Sequence, residues 1–236
     1  MLGLPDGIQA LLFDLDGVLS QTAKVHAAAW KQMFDEYLKD KAEREGGEFV
    51  PFDAHDDYDE FVDGLPRPDG VRSFLKSRGI KPDEALVKEL GDRKNVLVLD
   101  IIEKDGVDAY AGSVRYVDAA RAAGLRMAVV SSSANAKDVL KSIGILDKFE
   151  HVVDGHAVAE GGLKGKPAPD TFLEGARELG VEPAHAAVFE DALAGVEAGR
   201  AGHFGAVVGV DRVGQSGALR EHGATVVVQD LDELLS

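Results

Sequence analysis

Asp14 and Asp16 stand two positions apart in "LLFDLDGVLS", residues 11–20, directly after an apolar run that reads as a strand. Like charges beside a core strand are costly to bury, so a positive partner is expected nearby. If the strand stays extended the two carboxylates share a side, roughly 6 to 7 Å apart along it. "HAAVFED" brings two more acids, Glu190 and Asp191, to a strand end, and "MAVVSSS" brings Ser131. Such a set of oxygens suits a hard cation, and Mg²⁺ is the natural neutraliser. A carboxylate beside that cation can attack a phosphorus centre, a role that falls to Asp14. Asp16, just past it, can protonate the leaving oxygen and later take a proton from the incoming one. Lys166 in "LKGKPAPD", stiffened by Pro167 and Pro169, can hold Asp14 and a phosphate together as a point charge.

Simpler roles compete for the same residues. "DLDG" alone is equally well a turn or a helix cap. An EF-hand loop starting at Asp14 would need Glu at its twelfth position, where Val25 stands. "GGLKGKPA" lacks P-loop glycine spacing, and Pro167 occupies the place of the metal-binding Ser or Thr. Serines 131–133 suit a cap of the next helix. His26 and Trp30 are spaced i and i+4, and their default role is helix packing.

Elements that position these groups follow from pattern. Short apolar, β-branched runs at "IQALLFDLD", "LRMAVVSSS", "HAAVFED", "GAVVGV" and "ATVVVQD", mostly separated by helix-like stretches, predict an α/β fold with a helix-wrapped parallel sheet. Ligands of such sheets bind beyond the carboxyl ends of the strands, where Asp14, Ser131 and Glu190 converge. Ser113 suits the cap of a helix that Gly124 ends, and Pro169-Asp170 opens another that Gly180 stops. Residues 21–110 read instead as long charged helices inserted after the first strand, returning through the hinge-like "EKDGVDAYAG". The expected division is 1–20 with 111–236 as a Rossmann-like core, and 21–110 as a helical cap.

Bulk composition narrows the function. The 236 residues carry 26 Lys and Arg against 42 Asp and Glu, a net charge of -16, which repels nucleic acid and anionic membranes. With no cysteine, thiolate metal sites and thiol nucleophiles are excluded. The N-terminus has no signal-type segment, so a cytoplasmic protein is expected.

Taken in order, "FDLDGVL", "VVSSSAN", "KGKPAPD" and "VFEDALAGVEA" resemble the four motifs of the haloacid dehalogenase superfamily, and the chain is similar to its β-phosphoglucomutase-like family. That resemblance implies Asp14 as the phosphorylated nucleophile and Asp16 as general acid/base, its backbone carbonyl joining Asp14, Glu190 and Asp191 around one Mg²⁺. It implies that Ser131, Ser132 and Asn135 hold phosphate or sugar and that Lys166 is the third-motif lysine. Thr22, His26 and Trp30 match the hinge and first cap helix, Arg67 the cap arginine that grips the distal phosphate, and Lys94 a cap lysine near the substrate. Gln21 departs from the Asp frequent at its position, and the acidic stretch 39–60 is longer than such a cap requires. The implied activity is a phosphomutase interconverting β-D-glucose 1-phosphate and glucose 6-phosphate, with β-D-glucose 1,6-bisphosphate as activator and intermediate. The alternative is a sugar-phosphate phosphatase. A catalytically silent sugar-phosphate binder is third, and the complete set Asp14, Asp16, Lys166 and Asp191 argues against it. A small sugar phosphate is the expected partner, with no nucleic acid, no membrane and a monomeric chain.

Overall fold

The computed structural model describes residues 2–235. Among them the elements run β1 (Ala10–Phe13), α1 (Ala23–Glu45), α2 (Asp56–Phe61), α3 (Arg67–Ser77), α4 (Glu84–Asp105), α5 (Ala111–Ala122), β2 (Arg126–Val130), α6 (Ala136–Ser142), β3 (His151–Val153), α7 (Gly155–Gly161), α8 (Asp170–Glu178), β4 (Ala186–Glu190), α9 (Leu193–Ala201), β5 (Ala206–Val210), α10 (Ser216–His222) and β6 (Val226–Val228). Contacts divide the chain into two compact units, one holding the stretch up to Gln21, Gly64–Pro66 and the chain from Val107 onward, the other holding Thr22–Asp63 and Arg67–Gly106. No helix among the described residues is long and apolar enough to cross a membrane.

The first unit is an α/β, Rossmann-like domain whose six strands are ordered β3-β2-β1-β4-β5-β6, all pairing in parallel. β1, β4 and β5 are buried along their whole length, as continuous apolar strands covered on both faces must be. Phe13 on β1 pairs with Val129 on one side and Phe189 on the other, and its ring stacks on Phe189 at 4.5 Å between centroids. Helix α8 turns Phe172, Gly175 and Ala176 inward. At Gly175 a Cβ would lie 2.9 Å from Val130 Cγ2, so helix and sheet approach closely. Strand order reverses between β1 and β4, the place where such sheets open a crevice.

Two local expectations change. β3, absent from the expected strands, is a three-residue edge strand with only Val153 buried. Ser113 is not a cap: α5 starts two residues earlier, and the Ser113 hydroxyl donates to the Val18 carbonyl at 2.6 Å. The return segment 107–110 belongs with the first unit because Gln21 N–H donates to Asp108 O at 2.8 Å and Tyr110 N–H to Leu19 O at 3.0 Å.

The second unit packs α1 to α4 around Trp30, Met33, Phe34, Phe52, Phe74 and Leu90. Phe74 is its hub, 4.2 Å from Phe34 and 4.9 Å from Phe52 between ring centroids. Part of the acidic stretch supplies turn acceptors and an ion pair. Asp53 accepts from the His55 and Asp56 backbones at 2.8 and 2.9 Å, and Asp57 pairs with Arg78 at 2.7 Å. Since Phe74 is fully buried, Phe74→Ala is expected to destabilise this unit by about 3–5 kcal/mol. Urea unfolding followed by the fluorescence of Trp30, the single tryptophan, checks it; a loss below about 1 kcal/mol would show that the cluster is not the unit's core.

Candidate active site

Asp14 follows the last residue of β1, and its backbone N–H donates to Phe189 O at 2.9 Å, continuing the β1–β4 ladder one step beyond the strand. Glu190 ends β4, and Asp191 follows it. Lys166 comes from the loop before α8, and its Nζ donates to Asp14 Oδ1, to Glu190 Oε1 at 2.6 Å and to Val130 O at 3.3 Å. All four residues are buried. Carboxylate oxygens of Asp14, Glu190 and Asp191 lie within 4.8 Å of one another.

Charge is unbalanced here, because three carboxylates face one ammonium. Burial, opposed by Lys166 and reinforced by the charges of Glu190 and Asp16, pushes the Asp14 carboxyl well above its ordinary value. Burial alone would lower Lys166, yet Asp14 and Glu190 hold its ammonium above the ordinary lysine value. The cluster therefore has donors for a cation and too little positive charge of its own. Its exclusively oxygen donor set fits Mg²⁺ among the metals.

Beyond Asp14 the chain leaves the strand and curls. Leu19 N–H and Ser20 N–H both donate to Leu15 O at 2.9 Å, and Gly17 N–H donates to Ser20 O at 2.9 Å. Asp16 sits partly exposed on this loop, while Leu15 is buried. The two aspartates thus differ in environment, which extended-strand geometry did not foresee. Gly17 has φ 84°, and a Cβ there would fall 1.7 Å from Asp191 Oδ2, so only glycine lets the two acid-bearing loops meet.

Ser131 follows the last residue of β2, buried, with its Oγ accepting from Ser133 N–H at 3.0 Å. Ser132 Oγ donates to Gly64 O at 3.1 Å, and Asn135 N–H donates to Ser133 Oγ at 3.2 Å at the entry to α6. These serines build a turn, and none is the residue that caps α6.

Thr22, His26, Trp30, Arg67 and Lys94 all lie in the second unit. Three of them meet: buried Lys94 Nζ is 2.5 Å from His26 Nδ1 and 4.9 Å from the centre of the Trp30 ring. Thr22 is buried ahead of α1 and accepts from His26 N–H at 2.8 Å through its backbone carbonyl. Arg67 opens α3, and its guanidinium donates to Gly91 O at 3.2 Å. Burial lowers the Arg67 pKa from its ordinary value, and Asp92 opposes that shift.

Sequence reasoning missed Arg212 and Gln215, on the loop after β5. Gln215 Nε2 donates to Asp191 O at 3.1 Å and Arg212 Nε to Gly17 O at 2.8 Å, so one loop braces both acid-bearing turns. The signal available was the polar run "DRVGQ" at the carboxyl end of a buried strand, where parallel sheets place functional groups.

The haloacid dehalogenase-like hydrolase profile matches residues 8–203. A β-phosphoglucomutase of Mycobacterium bovis is 54% identical over 248 aligned residues, covering 100% of this chain and 94% of the relative. That of Bacillus subtilis is 35% identical over 206 residues, covering 86% of this chain and 84% of the relative. A crystal structure of β-phosphoglucomutase from Clostridium difficile superposes with a TM-score of 0.78 at 27% identity, covering 96% of this chain and 93% of that one. Motif order, the parallel sheet with its acid-and-lysine cluster, and full-length similarity together establish that the chain belongs to the haloacid dehalogenase superfamily and, within it, to the β-phosphoglucomutase-like family of phosphoryl-transfer enzymes.

Proposed function

We propose that the chain is a Mg²⁺-dependent phosphomutase that interconverts β-D-glucose 1-phosphate and glucose 6-phosphate through an aspartyl phosphate and β-D-glucose 1,6-bisphosphate. The chemistry rests on one observation, the buried lysine shared between Asp14 and Glu190 with Asp191 beside them. The substrate is taken from the relative that is 54% identical along the whole chain. The same reading makes the enzyme cytoplasmic and monomeric, acting on small molecules alone.

Lys166 engages one oxygen of Asp14, so attack on phosphorus is assigned to the other. A phosphorylated Asp14 passes its phosphoryl group to the C6 hydroxyl of β-glucose 1-phosphate, whose proton goes to Asp16. The bisphosphate reverses its orientation. Asp14 then takes the C1 phosphoryl group as Asp16 returns the proton to the departing sugar oxygen, and glucose 6-phosphate is released. Mg²⁺ bound by Asp14, Glu190, Asp191 and the Asp16 carbonyl supplies positive charge that offsets repulsion between carboxylate and phosphate. Ser131, Ser132 and Asn135 steady the reacting phosphate. Arg67 takes the phosphate that is not reacting, while Thr22, His26, Trp30 and Lys94 orient the sugar and keep water from the aspartyl phosphate.

Asp14→Asn keeps the side-chain shape and removes the nucleophile, so phosphoryl-enzyme and turnover are both expected to vanish while the fold persists. Intact-protein mass spectrometry after exposure to the bisphosphate reads this directly, and a phosphorylated variant would refute the assignment. Chelation is expected to stop phosphorylation of Asp14 and added Mg²⁺ to restore it; full activity in EDTA with metal shown absent would exclude a metal requirement. Arg67→Ala is expected to cost about 2–4 kcal/mol in kcat/KM for the mutase reaction, while hydrolysis of a small activated ester, which has no second phosphate, changes little. Equal losses in both assays would withdraw the distal-phosphate role. Free phosphate from β-glucose 1-phosphate with no glucose 6-phosphate would make the protein a phosphatase.

A further inference from the structure

We propose that Arg212 is a positioning residue for the acid/base group, holding the loop that carries Asp16; this rests on the role given to Asp16 above. Arg212 lies two residues beyond β5 with its side chain only 15% exposed. Its Nε donates to Gly17 O at 2.8 Å, Nη2 to Val18 O at 3.5 Å and Nη1 to Gln229 O at 2.7 Å, and Nη1 pairs with Asp230 at 3.4 Å. The guanidinium carbon lies 3.5 Å from the centre of the Tyr110 ring.

Those contacts fix the residue that follows Asp16 from both directions. Gly17 N–H is held by Ser20 O at 2.9 Å, and its carbonyl is held by Arg212. The plane before Asp16 is held through Leu15 O, which accepts from Leu19 and Ser20 N–H, the plane after it through Gly17 N–H, and Arg212 holds the next plane along, so the direction in which Asp16 leaves the loop is set. Asp14 needs no such help, because the β-ladder and Lys166 already hold it. Other contacts reinforce the loop from the same side: Ser113 Oγ donates to Val18 O at 2.6 Å, and Tyr110, whose ring stacks on the guanidinium, donates its N–H to Leu19 O at 3.0 Å. Lysine cannot reproduce this, since it lacks the planar fork that reaches several carbonyls while stacking on a ring.

Losing Arg212 should therefore harm the steps that need a proton from Asp16 and spare those that do not. Acetyl phosphate has a leaving group that departs without protonation, whereas a sugar oxygen must be protonated as it leaves. In single-turnover phosphorylation of Asp14, Arg212→Gln is expected to slow transfer from β-glucose 1,6-bisphosphate about 10- to 100-fold and transfer from acetyl phosphate by less than about threefold. With Asp16→Asn already present, Arg212→Gln should add no further loss for the sugar donor, because the group it positions is gone. Should Arg212→Gln fail to fold, Arg212→Lys keeps the charge and is expected to show the same selective loss. Equal losses with both donors, or an undiminished loss in the Asp16→Asn background, would overturn the positioning role. Unimpaired sugar transfer by Asp16→Asn alone would instead overturn the acid/base role itself.

Discussion

A single ammonium group set between two buried carboxylates governs this molecule. Lys166 bonds to both Asp14 and Glu190, and it does so away from water, where an unpaired charge would be costly. Removing either acid would strip the lysine of half its compensation, and removing the lysine would leave like charges facing one another. The arrangement dictates the surrounding architecture. Its members must arrive on a central strand, on that strand's neighbour and on a loop rigid enough to deliver a long side chain to a fixed point, and β1, β4 and the proline-flanked segment before α8 meet that demand. Even so the balance is incomplete, which leaves the cluster receptive to further positive charge.

Around this pair, backbone geometry does work that side chains cannot. Asp191 presses so near Gly17 that the space for any Cβ is already filled, and Arg212 and Gln215 reach from one loop to the carbonyls of Gly17 and Asp191. The acid-bearing turns are thereby held by hydrogen bonds to their own main chain, independent of what their side chains are doing. A carboxylate that exchanges protons during a reaction is better served by such support than by a salt bridge, which would shift with each change of charge.

Much of this was legible in the residues alone. Asp14, Ser131, Glu190 and Asp191 announce themselves because buried parallel strands read as unbroken apolar runs and polar groups at their carboxyl ends stand out. Lys166 is visible through its prolines. β3 was not, since three residues, only one of them buried, carry too little pattern. Ser113 misled because a serine near a helix start is ordinarily a cap, whereas here a distant carbonyl, Val18 O, claims the hydroxyl. The clustering of Phe34, Phe52 and Phe74 and the meeting of Lys94 with His26 and Trp30 depend on contacts between remote segments, which local pattern does not encode. Arg212 escaped notice for the same reason: a lone arginine in a loop is ordinarily solvated.

Separation along the chain has a consequence for how the protein is made. Lys166 lies 152 positions after Asp14, and Glu190 a further 24 beyond it. During synthesis the strand bearing Asp14 leaves the ribosome early, followed by the whole helical insertion and then by the cation that Asp14 requires. Until β4 appears, β1 lacks one of its two sheet neighbours and cannot become a central strand. The helical unit, whose residues lie between these two strands, is complete far sooner. Nascent chains should therefore hold a folded helical segment flanked by an unpaired apolar strand, the sort of edge that chaperones shield, and the phosphoryl-transfer centre comes into being only once Lys166 and Glu190 have been delivered.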